Sequence, residues 1–155
     1  MSLDAEMNYV YTDGACANNG KITASAGIGI YFGENDKRNV SKKITGKQTN
    51  NTAELKAIIE TYSLIQNDIV NGKKYTIVSD SVYAISCATT YGEKCEKKGW
   101  DKLDIPNKEL VKIVYELYKD SIVQFMHIHS HTKNQDIHSF GNYAADKLAT
   151  QAILL

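Results

Sequence analysis

The sequence predicts a mixed α/β fold, a five-stranded mixed sheet flanked by helices. Three observations point there. The first 45 residues hold three stretches of strand character separated by short turns, the pattern of an antiparallel meander. Beyond them, helical stripes alternate with two short apolar strands, and a strand–helix–strand crossover implies parallel pairing. At 155 residues the chain is long enough for one real core, and it shows no linker, repeat or low-complexity segment. One domain over residues 1–155 is therefore expected, with residues 1–7 outside it as disordered or vector-derived sequence.

The first strand runs through Tyr9-Val10-Tyr11-Thr12-Asp13-Gly14-Ala15-Cys16. Alternation turns Tyr9, Tyr11, Asp13 and Ala15 to one face and Val10, Thr12, Gly14 and Cys16 to the other. A turn at Asn18-Asn19-Gly20-Lys21 leads to a second strand over 25–32, whose glycines permit close approach. A third, more exposed strand follows over 38–45, where lysines discourage edge pairing. Thr49-Asn50-Asn51-Thr52 opens a helix with the stripe Leu55, Ile58, Ile59, Tyr62 and Ile65, closed by Asn71-Gly72. Residues 75–79 form the fourth strand and end at Asp80. A second helix is expected over 81–90. A polar, lysine-bearing segment over 91–102 then precedes a helix that starts at Ile105-Pro106. That helix carries the stripe Leu110, Ile113, Val114, Leu117 and Tyr118. The fifth strand covers 121–128. A polar loop over 130–140 holds two histidines, and a last helix over 141–155 has the stripe Ala145, Leu148, Ala149, Ala152 and Ile153.

Composition excludes several classes. The formal net charge is zero, so no global basic field marks a polyanion partner, and any such surface must be local. Cys16, Cys87 and Cys95 make an odd count without a C-x-x-C pair, which argues against a disulfide framework or a zinc site. With no signal-peptide profile and no apolar run near the ~18 residues of a membrane span, a cytoplasmic chain is expected, with no membrane association.

Four acids sit where acids are costly. Asp13 lies in a strand, on an aromatic face, although Asp is a poor strand former. Glu54 is in line with Ile58, Thr61 and Ile65 on an apolar helical stripe. Asp80 ends an apolar strand, where sites form in sheets with parallel pairing. Asp146 is mid-helix in line with Ala149 and Ile153, with no capping role. The first three have ordinary alternatives: a turn for Asp13, the helix dipole for Glu54 and an N-cap for Asp80. Gathered together, the four would repel unless cations were present. An all-oxygen set suits Mg²⁺ or Mn²⁺. Two such ions about 4 Å apart can activate a water and stabilise the leaving oxygen of a phosphodiester.

The same residues carry a family resemblance. Thr12-Asp13-Gly14, Thr49-Asn50-Asn51-Thr52-Ala53-Glu54-Leu55, Val78-Ser79-Asp80-Ser81 and Gly141-Asn142-Tyr143-Ala144-Ala145-Asp146-Lys147-Leu148-Ala149 resemble the four signature motifs of type 1 ribonuclease H, in family order and across nearly the whole chain. The resemblance implies the ribonuclease H-like fold with strand order 3-2-1-4-5. It implies a two-metal-ion endonuclease that hydrolyses the RNA strand of an RNA–DNA hybrid to 5′-phosphate and 3′-hydroxyl ends. Asp13 would bridge two Mg²⁺ or Mn²⁺ ions, with Glu54 and Asp80 on one side and Asp146 on the other. The family's loop histidine matches His131 best, with a longer loop and Lys133 in place of glycine, and His138 competes for the role. His127 and His129 read as structural.

Substrate contacts implied by the resemblance are Asn19, Asn50 and Asn51 near the RNA 2′-hydroxyl and Thr49 at a DNA phosphate. Residues 91–100 match the family's basic protrusion. There Tyr91 would meet a DNA sugar, and Lys94, Lys97 and Lys98 share a helical face that can follow phosphates. Trp100 in the same segment and Asn142 in the fourth motif complete the expected set. Four lysines in 91–102 face three acids, so the net charge of this element is only slightly positive. The chain is expected to act as a monomer on the hybrid without an obligate protein partner. The rival readings are a non-catalytic hybrid-binding module and a nuclease of the same fold with another nucleic-acid substrate. A mere binder has no use for four gathered acids, which favours the enzyme.

Overall fold

The computed structural model describes residues 6–130 and 136–154. Five strands, β1 (Met7–Ala17), β2 (Ser25–Tyr31), β3 (Val40–Lys43), β4 (Lys74–Ser79) and β5 (Gln124–His127), form one sheet in the order β3-β2-β1-β4-β5. Neighbours β1–β2 and β2–β3 are antiparallel, whereas β1–β4 and β4–β5 are parallel. The helices are α1 (Asn50–Val70), α2 (Val82–Ala88), α3 (Thr90–Lys98), α4 (Lys108–Tyr118) and α5 (Ile137–Ala152). Among the described residues, no helix is long and apolar enough to cross a membrane.

Both faces of the sheet are covered, which the alternation in β1 anticipates. Val10, with Ile28, Ile30 and Ile77, packs with Leu55, Ile58 and Ile65 of α1 and Val111 and Val114 of α4. Tyr11 faces the other way and packs with Val78 and Ala145 of α5. α5 lies close on β2 because β2 is stripped of side chains there. A Cβ on Gly27 would come within 2.8 Å of the Ala152 methyl, and one on Gly29 within 2.6 Å of the Ala149 nitrogen.

Several expected boundaries move. Met7, expected outside the fold, pairs with Lys74 at the start of β1. β3 and β5 are shorter than the patterns over 38–45 and 121–128 because only their central residues find a ladder partner. The helix expected over 81–90 ends at Ala88, and α3 takes up most of the polar segment that follows. The break falls at Thr89, whose backbone leaves the helical region and whose hydroxyl donates to the Ile85 carbonyl at 2.7 Å. Pro106 is not the first turn of α4. Asn107 behind it takes a left-handed conformation, φ 59°, and α4 begins at Lys108. The buried stripe of α4 is Val111, Val114, Tyr115 and Tyr118; of the expected stripe Val114 and Tyr118 are buried and Leu110 and Leu117 pack against the core, while Ile113 is 43% exposed. α5 begins four residues before Gly141, because Asp136 caps it by accepting from the Ser139 N–H at 2.9 Å.

Candidate active site

Three elements bring Asp13, Glu54 and Asp80 to one place, and a fourth brings Asp146 beside Asp13. Asp13 sits in the central strand β1 and is buried. Thr12 lies level with Ser79 in the parallel pair, so Asp13, which stays in β1 opposite Gly29 of β2, stands beside Asp80, where β4 ends. Asp80 is not the cap of α2. Ser81 holds that position, its hydroxyl accepting from the Ala84 N–H at 3.0 Å.

Glu54 is brought in by the start of α1. Thr49 and Thr52 form a reciprocal box: the Thr49 hydroxyl accepts from the Thr52 N–H at 3.0 Å, and the Thr52 hydroxyl from the Thr49 N–H at 3.1 Å. Gly14 then lets the first turn of α1 rest on β1. A Cβ there would lie 2.6 Å from the Glu54 nitrogen and 2.8 Å from the Ala53 carbonyl carbon. α5 supplies the fourth acid. Its small residues Ala145 and Ala149 are fully buried, and the Asp146 carboxyl comes near enough to Asp13 to hold its proton more tightly.

Asp13, Glu54 and Asp80 each present an oxygen within 4.8 Å of the others. The electrostatic consequence is large. The Asp13 carboxyl is pushed up to about 8, first by burial, then by the negative charge of Asp80 and by Asp146, against the opposing Gly14 N–H that it accepts at 2.9 Å. Glu54 is raised well above the usual carboxylate range, mainly by burial and then by Asp13 and Asp80. Its Oε1 is buried without a hydrogen-bond partner. A buried acceptor in that state is costly unless a donor or a cation answers it. An all-oxygen donor set with clustered negative charge and an unanswered carboxylate oxygen fits a hard divalent cation such as Mg²⁺ or Mn²⁺.

The other expected site residues divide into three groups. Asn19, Thr49, Asn50 and Asn51 gather where β1 gives way to the start of α1, with the Asn19 side chain accepting from the Asn50 N–H at 3.2 Å. Asn50 and Asn51 are exposed there. In α3, Lys94, Lys97 and Lys98 are exposed, and Lys97 is paired with Glu93 at 3.0 Å. Tyr91 and Trp100 lean inward against the core, and the Trp100 indole N–H is buried without a partner. Asn142 is 5% exposed, an interior residue of α5 and not a surface contact.

Of the histidines, His131 lies outside the described residues. His138, expected in a loop, stands in the first turn of α5, with its Nδ1 2.9 Å from the Tyr11 hydroxyl and its ring edge on Tyr9. His127 and His129, expected to be structural, are both exposed. Tyr11 was not expected as a site neighbour, yet it ties β1 to α5 two residues before Asp13. The alternation that placed Tyr9, Tyr11 and Asp13 on one face carried that signal. Gly141 has the same role from the helix side, since a Cβ there would meet the Tyr11 ring at 2.5 Å.

A mixed sheet in this order, with four acids converging beside its central strand, defines a protein of the ribonuclease H-like fold class. The chain belongs to the RNase H family, whose model matches residues 5–154. It is 35% identical over 153 residues to Ribonuclease H1 of Mus musculus, covering 97% of this chain and 51% of the relative. It is 33% identical over 150 residues to Ribonuclease H of Clostridium botulinum, covering 93% of each. The chain thus spans about half the length of the mammalian relatives it matches and nearly all of the clostridial one. Among solved structures it superposes on LC11-RNase H1, crystallised in complex with an RNA/DNA hybrid, with TM-score 0.61 and 23% identity over 94% of this chain and 95% of that one. At that identity the likeness speaks for the fold.

Proposed function

We propose that this chain is an endonuclease that hydrolyses the RNA strand of RNA–DNA hybrids, leaving 5′-phosphate and 3′-hydroxyl ends. The observation that carries the reading is the convergence of Asp13, Glu54 and Asp80, with Asp146 against Asp13, in a chain that also matches the RNase H family. Asp13, Glu54, Asp80 and Asp146 would hold Mg²⁺ or Mn²⁺, two ions per site. When bound, these ions supply charge neutralisation at the scissile phosphate and a more acidic attacking water.

The protein's own part is positioning. The capped start of α1 and the pairing of β1 with the end of β4 fix the acids before substrate arrives, so little reorganisation accompanies the reaction. Asn19, Asn50 and Asn51 offer amide donors and acceptors beside the acids, suited to a 2′-hydroxyl, the group that distinguishes RNA from DNA. Lys94 and Lys98 on α3 are available to phosphates, while Lys97 must first leave Glu93. Because those contacts are few and the chain has no net charge, salt dependence should be shallow, about one logarithmic unit per phosphate contact. His131 is the candidate for moving a proton or aiding product release. His138 is held by Tyr11 and is less free to do so.

The test is incubation of the purified chain with end-labelled hybrid, duplex DNA and duplex RNA, each with Mg²⁺, Mn²⁺ or a chelator. Cleavage of the RNA strand of the hybrid, dependent on the cation and leaving 5′-phosphates, is expected. Hybrid that is bound but uncut under every cation would contradict the proposal and favour a binding module.

A further inference from the structure

β5 is an edge strand, and its end carries a feature the nuclease reading does not use. His127 closes β5 and His129 follows two residues on. Ile128 between them continues the parallel pairing, its N–H donating to the Ser79 carbonyl at 3.0 Å. Residues i and i+2 of an extended chain share a face. Phe125 packs with the α1 side of the sheet and Met126 and Ile128 with the α5 side, so His127 and His129 belong to the α1 side. Their rings meet there, with centroids 5.1 Å apart and planes at 83°. Both residues are exposed. Solvent reaches them, and neither is buried deeply enough for its packing to explain the pairing.

Imidazole nitrogen is a frequent ligand for borderline divalent cations. With zinc–nitrogen bonds of about 2.0–2.1 Å, two nitrogens on one tetrahedral ion lie about 3.3 Å apart. The rings are already in contact, and pairing with β4 holds the backbone as far as Ile128. We infer that His127 and His129 form a two-imidazole site for a borderline divalent cation such as Zn²⁺, separate from the all-oxygen carboxylate site and completed by water. The two sites select by chemistry. The acids favour hard Mg²⁺ or Mn²⁺, and the imidazole pair favours Zn²⁺, Ni²⁺ or Cu²⁺. They are neighbours, since His127 lies level with Ser79 and Asp80 follows directly.

The test uses the whole chain with Mg²⁺ in excess, so that the carboxylates are occupied, and titrates Zn²⁺ while recording the histidine ring ¹H–¹⁵N signals. The ring nitrogens of His127 and His129 should shift together and saturate at one equivalent, with those of His138 unchanged. His127→Ala and His129→Ala should each weaken Zn²⁺ binding at least tenfold by calorimetry. Both side chains are exposed, so neither variant should unfold, and circular dichroism checks this. Rings that do not move with millimolar Zn²⁺ would overturn the inference, as would undiminished binding in the double variant. The readout is binding, so its failure leaves the nuclease reading untouched.

Discussion

At the scale of single residues, the account turns on what each acid would otherwise be doing. Asp146 was the most legible from sequence, because a mid-helix Asp between buried alanines has no local task. Asp80 was ambiguous, since an Asp at the end of a strand before a helix is also a good cap, and only the structure assigns that task to Ser81. The histidines were least legible: the choice between His131 and His138 depended on where α5 starts, and the Asp136 cap places His138 inside it. Replacing Asp13 by Asn removes one negative charge and keeps the shape. We expect cation-dependent hybrid cleavage to fall by about 10²–10³-fold, the scale of losing a group aimed at developing charge, while circular dichroism stays native. Retained activity would remove Asp13 from the chemistry. Gly14→Ala forces a methyl against the backbone of α1 and should destabilise by roughly 1–3 kcal/mol in urea melts while lowering cleavage. An unperturbed melt would show that α1 can retreat without cost.

At the scale of elements, patterns of strong period were read well and ends were read poorly. The stripes of α1 and α5 hold, because long runs average over errors. In α4 the expected stripe holds at Leu110, Val114, Leu117 and Tyr118 but not at Ile113, and it omits Val111 and Tyr115: Ile113 is as apolar as Val111, so hydrophobicity alone could not choose between adjacent faces. Packing against α1 and α2 buries Val111, Val114, Tyr115 and Tyr118 as the inward set. Ile113→Lys should therefore change stability by less than about 0.5 kcal/mol, whereas Val114→Ala should cost roughly 2 kcal/mol from lost burial and a residual cavity. Equal effects in denaturant titrations would restore the sequence-derived face. At the start of α1, Thr49→Ala removes a hydroxyl that takes part in the reciprocal cap, with an expected loss of about 1 kcal/mol. Because Glu54 lies in the same turn, cleavage should fall further than the lost stability alone explains.

At the scale of the whole molecule, the sheet order was not readable from periodicity. It came from the resemblance, because pairing between strands distant in sequence leaves no local trace. What the whole molecule adds is linkage between the acids and stability. The folded chain binds a proton on Asp13 up to about pH 8, far above the value near 4 of a free carboxyl, and Glu54 is displaced in the same direction. Folding therefore retains protons that the unfolded chain releases. The stabilisation from these groups is full at low pH and is lost as pH rises toward about 8. Asp36 and Asp136 are shifted the other way, and their contributions fail only on the acid side. In chelator, the melting temperature should fall between about pH 5 and pH 8, and Asp13→Asn should flatten that slope. Mg²⁺ should oppose it most at the upper end, where the acids are ready to bind a cation. A melting temperature that rises across this range in chelator would mean that the acids do not share one buried site.

The central claim is that acids from β1, α1, β4 and α5 make a single divalent-cation site. The most direct measurement is anomalous difference density from a crystal of this chain soaked in Mn²⁺. The expected result is density among the carboxylates of Asp13, Glu54, Asp80 and Asp146, absent from an Asp13→Asn crystal soaked in the same way. No density among them at saturating Mn²⁺, or density that persists unchanged in the variant, would contradict the account.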